Sequence, residues 1–141
     1  MADTVNARAL VDNGRAHVVH LTCKSDGTGE TGVVKVDRSA IAAANGGAEA
    51  VALDIEAVRW AIQGFTAVTL LWDHTTDDVA MRLSGNGYED FVGPSDIRAV
   101  PFASLPDPRS TGGTGDILLT SEGAASGATY DITLWLRKVA S

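Results

Sequence analysis

Residues 130–137 read YDITLWLR, and their alternation decides how the rest of the chain is read. In an extended strand successive side chains point to opposite faces, so Tyr130, Ile132, Leu134 and Leu136 share one side while Asp131, Thr133, Trp135 and Arg137 share the other. That pattern predicts a half-buried β-strand. A helix would scatter the same apolar residues around its circumference.

The same period of two, more weakly expressed, recurs at 16–23, 33–37 and 66–72, where Thr66, Val68, Leu70 and Trp72 fall on one face. Turn-forming runs bound these segments: SDGTG at 25–29, DHTTDD at 73–78 before VAMRL, and SGNG at 84–87 before YEDF. They read as hairpins. Between residues 50 and 62 the parity switches, with Val51, Leu53 and Ile55 in one phase and Val58, Trp60 and Ile62 in the other. A bulge near Glu56 or Ala57 reconciles the halves as one strand, and a short amphipathic helix is the competing reading. SAIAAANGGA, at 39–48, has room for one or two helical turns before Asn45-Gly46-Gly47 cuts it. All four prolines, Pro94, Pro101, Pro106 and Pro108, cluster in one segment, which predicts a long loop there. Seven or eight short strands at intervals of about ten residues point to an all-β sandwich or barrel. Residues 1–13 carry no clear periodicity and read as an N-terminal arm, helical or extended, before a single domain over 14–141.

At 141 residues the chain is long enough for one sizeable core, and its 45% apolar and 21% charged residues are ordinary for a globular protein. The formal charge of −7 repels phosphate backbones and anionic lipid, so neither nucleic acid nor membrane is an expected partner. Nothing approaches the roughly 18 apolar residues of a membrane helix, and the start MADTVNAR lacks a signal peptide's basic flank and apolar centre, so synthesis in cytoplasm is expected. A lone Cys23 forms no internal disulfide.

Candidate chemistry is sparse. His17, His20 and Cys23 have metal-like spacing, but on a strand His20 faces away from the other two. Asp73, His74, Asp77 and Asp78 could offer ligands to a hard cation such as calcium, although an Asp/Thr-rich turn has this composition for its own backbone hydrogen bonds; Asp26, Thr28 and Glu30 read the same way. No nucleophile elbow or phosphate-binding glycine loop is present, and no catalytic residue, cofactor or metal is assigned. Trp60, Trp72 and Trp135 suit core or interface packing, with a sugar platform as the alternative.

Four stretches taken together, SDGTGETGVVKVDRS (25–39), RWAIQGFTAVTLLWD (59–73), LSGNGYEDF (83–91) and GGTGDILLTSEGAASGATYDITLWLRK (112–138), resemble small capsid decoration or cement proteins of tailed bacteriophages. The resemblance implies a β-sandwich or jelly-roll module, so the expected fold is an antiparallel β-sandwich or jelly-roll-like barrel with a long Pro-containing loop. It implies a structural protein without enzymatic activity, on the outer capsid surface of a virion, whose partners are the major capsid protein and possibly further copies of itself. Residues 1–13 and 93–112, as backbone without expected ladder partners, are the candidate contact segments, with Arg98, Phe102 and Arg109 as anchors. A carbohydrate-binding module of a head or tail fibre is the alternative function, and a hydrolase with a dispersed acidic site ranks below both.

Overall fold

The computed structural model describes residues 4–44, 46–47, 49–91 and 105–139. The described residues form nine strands: β1 (Thr4–Asp12), β2 (Ala16–Asp26), β3 (Val33–Val36), β4 (Ala52–Gln63), β5 (Ala67–Trp72), β6 (Asp78–Leu83), β7 (Asn86–Asp90), β8 (Ile117–Glu122) and β9 (Ser126–Val139). They form two antiparallel sheets, ordered β1-β2-β9-β4-β7 and β3-β8-β5-β6.

The pairings are nested. β5 pairs with β6, β4 with β7, β3 with β8 and β2 with β9, all antiparallel. The chain from β2 to β9 is therefore one long hairpin, with its tip at the β5–β6 turn, wound into two sheets. Every connection within it except that tip crosses from one sheet to the other, which is the connectivity of an eight-stranded jelly roll.

This corrects the local hairpin reading. The turns at 25–29 and 84–87 do reverse the chain, but β2 and β3, like β6 and β7, lie in different sheets. Turn chemistry sets a reversal of direction; which strand then pairs is decided by burial against the opposite sheet.

β9 fills the centre of its sheet. Tyr130, Ile132, Leu134 and Leu136 are all buried, as the alternation predicts, and they meet Leu70, Trp72, Ile117 and Leu119 of the facing sheet in the core cluster. The parity switch in β4 is a bulge: the register against β9 jumps between Ile55 and Ala57, leaving Glu56 as the extra residue, so Leu53, Ile55, Val58 and Ile62 all stay buried. The helical alternative at 50–62 is overturned by this pairing. The alanine-rich segment holds one 3-10 turn, Arg38–Ala40, capped by Asp37 through the Ser39 N–H.

Residues 4–12 of the expected arm are strand β1, paired along their length with β2. The Asn13-Gly14 turn was the missed signal for it. The Asn13 side-chain oxygen accepts from the N–H groups of Arg15 and Ala16, both at 2.9 Å.

Candidate functional site

Two surfaces stand out, and both are built by the five-stranded sheet. The first is its outer edge. Among the described residues β1 is hydrogen-bonded on one side only, and all nine of its residues are exposed. Val5, Ala7 and Ala9 stand opposite the buried Cys23, Leu21 and Val19, so they face the interior side of the sheet. They remain exposed because this sheet has five strands and the facing one four. Leu10 and Val11 add further apolar surface, at 46% and 41% exposure. The other edges are short or charged: β3 has four residues, β7 ends in Glu89-Asp90, and β6 carries Asp78 and Arg82. β1 has no proline and, before the terminal Asp12, a single charge, Arg8. A bulge at Leu10 breaks its register with β2, but from Thr4 to Ala9 the edge runs without bulge or proline.

The second surface is the outward face of the same sheet. The register places Arg8, His20, Thr133, Arg59 and Tyr88 in one row across all five strands, with Asn6, Thr22, Asp131, Ala61 and Asn86 in the next. Because Ala61 and Thr133 are small, a groove of about 360 Å³ opens between Leu10, His20, Arg59 and Asp131. A second, of about 340 Å³, shares Ala61 and Asp131 with it and extends toward Gln63, Asn86 and Thr129. At the other end Tyr88 and Trp135 meet edge to face, ring centres 6.1 Å apart, beside a hollow of about 190 Å³ over Val18 and Ala57. His20 Nε2 lies 2.7 Å from Asp131 Oδ1.

Elsewhere the polar residues are internal braces. The His74 side chain is fully buried, its Nε2 2.9 Å from Asp107 Oδ1 and its Nδ1 2.7 Å from Asp78 Oδ2, the latter outside hydrogen-bonding geometry. Ser110 donates to the same Asp78 oxygen, and Thr114 donates to Asp73. His74 and Asp78 thus clamp the hairpin tip to the segment at 105–116. The suggested calcium loop spends Asp73, Asp77 and Asp78 on these protein contacts. Among the described residues no group of three His, Cys, Asp or Glu is placed to hold a metal ion.

His17 and Cys23 are buried and His20 faces out, as strand geometry predicts. Asp26 accepts from Thr28 within its turn, whereas Glu30 is buried, accepting from Tyr130 Oη at 2.6 Å and pairing with Lys35 at 2.5 Å. Lys138, its side chain fully buried, donates to Asp12 and to the carbonyls of Asn13 and Ala42. Burial pushes the Asp12 carboxyl up, but the Lys138, Ala42 and His17 contacts outweigh it and hold the group below the ordinary value. Trp72 is core; Trp60 is half-buried and donates to the Ser84 carbonyl; Trp135 lies on the outward face.

Arg98 and Phe102 lie outside the described residues, as do Pro94 and Pro101. Arg109 is exposed, in a left-handed backbone conformation with φ 54°, at a hollow of about 160 Å³ beside Ser110 and Gly113. Residues 105–112 are not free backbone: Leu105 pairs with Ile55, and Thr75 donates to the Thr111 carbonyl.

No protein-family model matches the sequence. No curated protein matches it, and no solved structure does either.

Proposed function

We propose that this protein is a virion structural component, a decoration or cement protein that docks on the outer surface of a phage head lattice and stabilises it. The observation that carries this reading is β1, a nine-residue strand exposed over its whole length at the edge of the five-stranded sheet. Such an edge offers main-chain hydrogen bonds to a strand of another protein, and Val5, Ala7 and Ala9 add apolar contact beneath it. The jelly-roll connectivity and the resemblance to phage decoration proteins point the same way. The partner is the major capsid protein, and a lattice repeats one modest contact many times, so each copy needs only a small interface. The chain's negative charge suits a face turned away from packaged DNA.

Purified protein mixed with undecorated heads is expected to co-sediment with them, saturating at a stoichiometry set by the lattice. A variant with Val5→Lys and Ala9→Lys, which puts charges under the edge without touching the core, is expected to unfold at the same temperature and bind at least tenfold more weakly. Failure of the parent protein to associate with heads, or full binding by the variant, contradicts the reading.

A further inference from the structure

We propose that the outward face of the five-stranded sheet binds an acidic oligosaccharide, with Arg59 and Arg8 taking its carboxylates and the Tyr88–Trp135 pair taking a sugar ring. This assignment is independent of which surface meets a capsid.

Charge comes first. The molecule carries −7 overall, yet the central row of this face reads Arg8, His20, Thr133, Arg59, Tyr88. Two acids flank this row: Asp131, which lies 2.7 Å from His20, and Asp90, opposite Ala57 on β7. Among the described residues the side chains of Arg8 and Arg59, like those of Arg15 and Arg109, have no ion-pair or hydrogen-bond partner, while Arg38, Arg82 and Arg137 each have a carboxylate. Two unpaired guanidinium groups in one row of an otherwise acidic molecule favour an anion, and the planar fork of arginine matches a carboxylate.

Shape and lining then select the kind of anion. The row spans four inter-strand steps, about 19 Å, which suits an extended chain rather than a small ion. The grooves along it present hydroxyls, amides and the His20–Asp131 pair, from Thr133, Thr129, Asn86 and Gln63. These are donors and acceptors for a hydroxyl-rich ligand. Arg59 lines the first groove together with Trp60, a half-buried ring that packs against the core. The exposed aromatic component is a platform at one end, with Tyr88 57% exposed, as the C–H face of a pyranose requires. On β4 the outward positions running from platform to grooves are Ala57, Arg59 and Ala61, so Arg59 stands midway along the path with a small residue on either side.

The test is a tryptophan-fluorescence titration of the whole protein with tetragalacturonate, with cellotetraose as the neutral counterpart. Saturable quenching by tetragalacturonate is expected, weakening as salt rises, with cellotetraose at least tenfold weaker. Arg59→Ala is expected to lower affinity about tenfold and Trp135→Ala to remove the quenching, both with unchanged thermal unfolding. Arg82→Ala, on the other sheet, is expected to bind as the parent does. No quenching by either sugar overturns the proposal, and so does equal loss in the Arg59 and Arg82 variants, which would mark non-specific charge attraction. Equal affinity for the two sugars overturns the acidic assignment, and binding of neither sugar alongside normal binding to heads would assign the face to protein.

Discussion

The His74 imidazole lies between two carboxylates with no exposed surface of its own, so its role is settled by what surrounds it. Its Nε2 lies at hydrogen-bonding distance from Asp107, and its Nδ1 meets Asp78 as a close contact outside hydrogen-bonding geometry. His74→Ala leaves Asp107, whose side chain is only 2% exposed, without its ring partner. The expected loss is about 3 kcal/mol, a fall in Tm on the order of 10 °C, measurable by calorimetry. An unchanged Tm would show that the clamp at the hairpin tip carries no stability. Asp12 makes a pH-dependent counterpart. Its folded-state pKa lies below the ordinary 3.8, so the stability it contributes is complete above that value and disappears as pH falls through the lowered one. Asp12→Asn is therefore expected to unfold more readily than the parent at pH 7, by about 2 kcal/mol, with the gap closing below about pH 3.8. Asp116 runs the other way: burial, with Asp37 and Asp73 nearby, raises its pKa, so its contribution is full below 3.8 and is lost as pH rises through the raised value. Comparing Asp12→Asn and Asp116→Asn with the parent by denaturation at several pH values separates the two.

At the scale of the element, β4 shows how a strand holds its buried face through a change of phase. Glu56 is the additional residue, and the phase change of Leu53 and Ile55 against Val58 and Ile62 was readable in the sequence because burial leaves no other strand solution. β9 was readable for the same reason. β1 was not: exposed on both faces, it alternates only from Val5 to Ala9, through small alanines, before the phase slips at Leu10, and Asn13-Gly14 is its clearer mark. The charged row of the candidate site was equally hidden, since Arg8, His20, Thr133, Arg59 and Tyr88 come from five strands and become neighbours only through register. Gly87 illustrates one such cross-strand dependence. It stands opposite Trp60, and a Cβ added there would lie 2.7 Å from the indole Cζ2. Gly87→Ala must displace the indole and strain its bond to the Ser84 carbonyl, for an expected loss of about 1–3 kcal/mol by chemical denaturation. A neutral result would mean that β7 can move away from β4 freely.

For the whole molecule, the nested pairing of β2–β9, β3–β8, β4–β7 and β5–β6 explains why adjacent segments misled the hairpin reading while the all-β architecture was plain. Period and turn chemistry are local, whereas partner choice depends on two sheets burying their apolar faces together. β1, added outside this winding, makes one sheet a strand wider than the other, and that overhang is where the proposed contact with a capsid falls. Cryo-electron microscopy of heads decorated with the protein tests this most directly. The expected density places β1 against a strand of the shell protein, extending the five-stranded sheet across the boundary at every equivalent lattice position. Density in which β1 faces solvent, or particles that carry no copy of the protein after washing, would contradict it.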